Sequence, residues 1–158
     1  MKKSVLSVIS TLTGVAIGAG VMGKVANKSA DRIQTMSDKH LALFLMMNQW
    51  VRVKQNRENI SSYFEKNDYK EVAIYGMSYV GETLLNELKN TEIKIAYGID
   101  KNAEGIYSEI NIVSPDEELK EVDAIIVTSI YYIDEIKDML SKKVSCPIIS
   151  LGDILYEM

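Results

Sequence analysis

Six residues, Gly76-Met77-Ser78-Tyr79-Val80-Gly81, follow at once on the β-rich run Glu71-Val72-Ala73-Ile74-Tyr75. After them Val80, Leu84 and Leu88 fall on one helical face. A strand, a tight turn and a helix in that order can cradle a phosphate. The first glycine makes the turn, a small middle residue lets main-chain amides approach, and the last glycine lets the helix pack closely. The middle position here is Ser78, which supplies a hydroxyl for a phosphate oxygen but narrows the approach that glycine would permit. The next apolar run, 93–99, ends at Asp100, nineteen residues after Gly81. An acid at that place commonly holds a ribose diol and repels a 2′-phosphate, which favours NAD over NADP. Lys101 beside it, with Thr128 and Ser129 after the apolar run Ala124-Ile125-Ile126-Val127, completes the set of candidate cofactor contacts. The competing reading is a plain strand-to-helix turn with Asp100 capping a loop, and the pattern leaves both open.

Groups for catalysis are harder to find. Tyr97 and Lys101 are four apart, the spacing of the Tyr/Lys pair of short-chain dehydrogenases and epimerases, but they straddle a strand end where that spacing does not align them. The sequence shows no P-loop, nucleophile elbow or Cys/His cluster. His40 lies in a helical stretch with no second ligand-type residue in its pattern, and zinc needs three or four ligands. Cys146 is a single cysteine, so no intramolecular disulfide forms, and it reads as an inert core thiol. The run Asp116-Glu117-Glu118 reads as a solvated first helical turn and not as a metal site. No catalytic or metal residue is assigned, and whether the chain is an enzyme stays open.

The elements that must position these residues alternate. Strands are expected at 71–75, 93–99, 110–113, 124–127 and 147–151. Helices are expected after Gly81, through Ile133, Ile136 and Leu140, and from Asp153 to the end. A further short helix is expected where Ser114-Pro115-Asp116-Glu117 forms a capping box. Alternation predicts a right-handed parallel sheet of about five strands: an α/β, small Rossmann-like domain over residues 70–158 preceded by a long N-terminal helical arm. Its core is small, so packing on the arm helix or on a second copy is expected.

The arm differs in kind from the domain. Up to Lys66 there are ten Lys/Arg against four Asp/Glu; from Asn67 onward there are eight against eighteen. An acidic domain repels nucleic-acid phosphates, so no nucleic-acid partner is expected, whereas a basic segment beside apolar residues suits an anionic membrane surface. Ser4 to Gly23 is uncharged for twenty residues, the length of one membrane crossing, and residues 1–26 read as an anchor helix. Gly14 and Gly18 form a GxxxG pattern suited to helix pairing. Lys24, Lys28, Arg32 and Lys39 on the C-terminal flank favour a single-pass protein of the cell membrane with its C-terminal domain in the cytoplasm. Residues 27–69 read as the arm. Within it Met36, Leu43 and Trp50 recur every seven residues, flanked by Phe44 and Val51, as in a packed or self-associating helix. An interfacial helix with Trp50, Arg52, Lys54 and Arg57 on lipid headgroups is the second reading.

The stretches IYGMSYVGETLLNEL, YGIDKN and DAIIVTS, with YIDEI and PIISLGDIL further on, resemble Rossmann-like domains of bacterial surface-polysaccharide proteins of the sugar epimerase-like and sugar acyltransferase-like kinds. Residues 99–102 through 112–119 look like the C-terminal Rossmann-like domain of sugar C-methyltransferases. The whole chain also looks like small membrane-anchored proteins of Gram-positive bacteria, from which no activity carries over. The resemblance implies a nucleotide or nucleotide-sugar at Gly76, Ser78 and Gly81 with Asp100 opposite, and departs from the family pattern at Ser78. The expected function is a membrane-tethered, homo-oligomeric accessory module that binds NAD or another nucleotide in surface-polysaccharide biosynthesis. The alternatives are a sugar-nucleotide-modifying enzyme acting with a partner, and a ligand-free oligomerising scaffold.

Overall fold

The computed structural model describes Arg32 and residues 34–158. The expected membrane span at 4–23, the GxxxG pattern within it, and Lys24 and Lys28 lie outside the described residues. Among the described residues no helix is long and apolar enough to cross a membrane. The chain divides into two units between Leu41 and Ala42. In the first, residues 34–41 are helical. There the Gln34 amide donates to the Asp38 carboxylate at 2.8 Å, and Met36 and Leu41 are exposed.

The second unit opens with helix α1 (42–55) and α2 (Ser61–Lys66), which lead into β1 (Glu71–Tyr75). Then follow α3 (Tyr79–Leu88), β2 (Lys94–Ile99), β3 (Ile112–Val113), β4 (Ala124–Val127), α4 (Ile133–Leu140), β5 (Ile148–Ser150) and α5 (Leu151–Glu157). The strands form one sheet in the order β3-β2-β1-β4-β5, and every pairing is parallel. This is the α/β architecture that the alternation of elements predicts. The central strands β1 and β4 are buried on both faces, which is why their sequences are continuous apolar runs. Successive residues point to opposite faces. Val72, Ile74, Ala124 and Ile126 pack under α3, α5 and the leading helices, while Ala73, Tyr75, Ile125 and Val127 pack with Ile136 and Leu140 of α4.

The arm helix enters this core. Met46, Trp50 and Val53, four and three apart on one face of α1, are buried with Ile60, Phe64 and Leu155. The Gln49 amide donates to the Leu155 carbonyl at 3.0 Å, and Lys54 pairs with Glu87 of α3. Two expectations are corrected here. Leu43 does not share the buried row with Trp50; it is exposed, as are Phe44, Leu45 and Val51. The helix has more apolar residues than its contact with the core can cover, and the stripe through Met46 is the one covered. Nor does Trp50 rest on lipid: its indole is 4% exposed and seated in the domain's own core.

The helix expected from Ser114 does not form. The reciprocal capping bonds are present, since the Ser114 N–H donates to the Glu117 carboxylate at 2.7 Å and the Asp116 N–H to Ser114 Oγ at 3.2 Å. They close a single turn only. Residues 114–123 must bring the chain from the end of β3 back to the start of β4. As a helix those ten residues advance only about 15 Å. An extended path spans the sheet and seats Leu119 and Val122 against its α4 face.

Candidate functional site

Going β1, β2, β3 the chain steps outward on one side, and β4 then returns to the other side of β1. The carboxyl ends of β1 and β4 therefore flank the point where the order reverses, the place at which open parallel sheets bind ligands. The predicted residues converge on this edge. Gly76 has φ +94°, a left-handed conformation that favours glycine, and a Cβ there would lie 2.6 Å from Thr128 Oγ1. Its N–H donates to the Ile99 carbonyl at 2.8 Å, fastening the turn to β2. A Cβ on Gly81 would lie 2.3 Å from the Gly76 carbonyl oxygen, so this glycine is what lets α3 start against the turn. Both glycines are thus required by the geometry of the strand-to-helix turn itself.

Between them Met77 is buried, its side chain packed where Gly98 leaves room, and Val80 is buried in the core. Ser78 is exposed and is the N-cap residue of α3, yet its side chain makes no capping bond. Tyr79 is 89% exposed. The first-turn amides of any helix lack intrahelical acceptors, so this end of α3 offers donors together with an uncommitted hydroxyl.

Asp100 serves the protein itself. Its Oδ2 accepts the Met77 N–H at 2.9 Å, and Oδ1 accepts the Asn102 N–H at 2.9 Å. The loop-capping role is thus real, and it ties the end of β2 to the turn after β1. Each carboxylate oxygen keeps a second lone pair that a ligand hydroxyl could use. Lys101 points into solvent. Thr128 is buried, and its hydroxyl donates to the Gly76 carbonyl at 2.7 Å, so it locks the turn from the β4 side; Ser129 beside it is half-buried. Tyr97 and Lys101 do not pair, because Tyr97 is buried in β2 with its hydroxyl donating to the Lys120 carbonyl at 2.7 Å.

One residue that the sequence pattern did not single out ends at this same edge. Tyr75 closes β1 and reads as core, and it is 5% exposed, but its hydroxyl is buried without a hydrogen-bond partner among the described residues. A polar atom closing the aliphatic run Val72-Ala73-Ile74 was the available signal.

The opposite end of the sheet is built differently. A cavity of about 530 Å³ there is lined by Glu71, Asp123, Lys143 and Cys146 among others. Asp123 Oδ2 accepts the N–H groups of Glu71 at 2.7 Å and Lys70 at 2.8 Å, and those two bonds hold its carboxyl below the usual range. Burial pushes the Cys146 thiol up, away from the reactive thiolate. Among the described residues no group of His, Cys, Asp and Glu could hold a metal ion.

The family described as C2185-like, N-terminal, matches residues 68–147, half of the 158-residue chain. The chain belongs to this family. The C2185-like match begins just before β1 and runs to the approach of β5, so the glycine turn, Asp100 and Thr128 all fall within it. Helix α1, which completes the core, precedes the C2185-like segment. Neither a curated protein nor a solved structure matches the chain.

Proposed function

We propose that the domain binds the phosphate of a nucleotide or nucleotide-sugar, NAD among them, at the first turn of α3. In this reading it is an accessory module tethered to the cytoplasmic face of the cell membrane, with surface-polysaccharide biosynthesis as its setting. One observation carries the reading: the turn Gly76 to Gly81 brings the start of α3 against β1, with the Ser78 hydroxyl exposed and unspent on capping. Phosphates are favoured there by the amides and by the helix dipole. Asp100 at the neighbouring strand end supports a ribose on the adjoining side and disfavours a 2′-phosphate.

The test is a thermal-shift panel on the full chain with NAD, NADP, S-adenosylmethionine and nucleotide-sugars, since a ligand that binds the folded state raises its stability by mass action. Saturable stabilisation by NAD or a nucleotide-sugar is expected. Ser78→Asp separates folding from binding. A carboxylate at an N-cap suits the free protein but repels a phosphate, so melting without ligand should hold or rise while the ligand shift disappears. No shift with any nucleotide would end the proposal.

A second reading, the assembly scaffold, is favoured by the apolar side chains of α1 that the core leaves outside. Phe44, Leu45 and Val51 are 65%, 48% and 52% exposed. Light scattering on the wild-type chain and on Phe44→Ser/Val51→Ser measures it, and a shift from dimer or higher species to monomer supports assembly through this helix.

A further inference from the structure

Helix α1 turns one face into the core through Met46, Trp50 and Val53 and leaves the opposite face bare. Phe44, Asn48, Val51 and Gln55, spaced four, three and four apart, form the outward row, with Leu45 and Arg52 beside it, and all six are exposed. Apolar side chains gathered on an outer face mark an interaction surface. Charge says what suits it. The residues of α1, 42–55, include no Asp or Glu and carry Arg52 and Lys54, whereas from Asn67 onward the chain has eighteen acids against eight cations. Lys54 pairs with Glu87, and Arg52 makes no ion pair among the described residues. A ridge that is apolar, cationic and free of acids, on an otherwise acidic domain, complements an anionic lipid surface. A second copy fits it less well, because two such ridges bring like charges together with no carboxylate in either helix to offset them.

Position along the chain points the same way. Gly23 closes the twenty uncharged residues of the expected anchor, and eighteen residues separate it from Ala42. A stretch of that length reaches at most about 60 Å, whatever its conformation. With the anchor in a bilayer, α1 stays within that distance of the headgroups, and an association too weak for a free domain becomes an intramolecular one. Resting on the membrane-tethered reading above, we propose that the outward row of α1 docks on the anionic lipid surface that holds the anchor. Phe44, Leu45 and Val51 enter the boundary between headgroups and acyl chains, Asn48 and Gln55 bond to headgroups at that shallow depth, and Arg52 meets a lipid phosphate. The domain then lies on the α1 side of its sheet, with α4 on the side facing away.

The experiment reconstitutes the full wild-type chain in vesicles of mixed phosphatidylcholine and phosphatidylglycerol that contain a phospholipid with a diazirine near its headgroup. After illumination, lipid adducts are mapped by mass spectrometry, with α4 (Ile133–Leu140) on the opposite side of the sheet as the internal reference. Several-fold more adducts are expected on 42–55 than on α4, and several-fold fewer on 42–55 in vesicles of phosphatidylcholine alone. Phe44→Ser/Val51→Ser should lose the α1 adducts and still sediment with the vesicles through the anchor; both positions are exposed, so the melting temperature should hold. Equal labelling of α1 and α4 in a chain that sediments would overturn the docking face and leave the tether standing. A chain that does not sediment with vesicles would overturn both. An unlabelled α1, together with a dimer in light scattering that the double variant dissolves, would give the face to a second copy and overturn the lipid assignment. Labelling of α1 that is undiminished without phosphatidylglycerol would overturn the anionic partner.

Discussion

At the scale of single residues, the turn after β1 is held by contacts that leave little freedom. Gly76→Ala forces an L side chain into φ +94° and drives a Cβ to 2.6 Å from Thr128 Oγ1. Gly81→Ala meets main chain at 2.3 Å, which cannot swing aside as a side chain could. Each should cost about 1–3 kcal/mol in urea denaturation, whereas Ser78→Ala, on an exposed position, should stay within about 0.5 kcal/mol. A stability loss at Ser78 as large as those at the glycines would mean that its side chain is structural. Asp123 makes a pH prediction. Its carboxyl is lowered in the folded state by the Glu71 and Lys70 amides, so the stabilisation is present above the ordinary carboxylate pKa and is lost as pH falls through the lowered folded value. The gap in denaturation midpoint between the wild type and Asp123→Asn should therefore be constant near neutrality and shrink in acid; a gap that widens in acid would refute the assignment.

At the scale of elements, α1 belongs to the domain's core as much as any helix after β1. Trp50→Ala removes a buried indole and should cost about 3–5 kcal/mol, read by chemical denaturation followed by circular dichroism. A chain beginning at residue 59 lacks Met46, Trp50 and Val53 and should melt well below one beginning at residue 42; equal melting would show that α1 contributes nothing. What the sequence made legible follows from the same packing. β1 and β4 were readable because strands covered on both faces are apolar throughout, and Val80, Leu84 and Leu88 because α3 has a single apolar stripe. The inward face of α1 was not readable, because Leu43, Phe44, Leu45, Met46, Trp50 and Val51 offer overlapping stripes and only the tertiary fit decides among them. The stop after Ser114 escaped for a different reason: local capping was correct, and the demand that overrode it was the distance back to β4. Of the candidate site, the glycines and Asp100 were legible from spacing. Thr128's inward bond and Tyr75's orphaned hydroxyl depend on neighbours in other strands, which no local pattern encodes.

At the scale of the whole molecule, two apolar layers share one sheet, with Trp50 in the first and Ile136 and Leu140 in the second. Layers joined through the same five strands should melt together. Fluorescence of Trp50, the single tryptophan, and circular dichroism of the backbone should therefore give coincident unfolding curves, and Leu140→Ala should shift both equally. An earlier fluorescence transition would show α1 detaching while the sheet survives. The distribution of unique side chains has a practical result as well. The sole indole lies on one side of the sheet, and the sole sulfhydryl, Cys146, packs against the cluster on the other. A maleimide acceptor dye coupled to that sulfur, slowly because burial keeps it protonated, would draw excitation energy from the indole through the thickness of the protein. The native chain thus carries a built-in optical ruler for its own opening, with no engineered attachment point required.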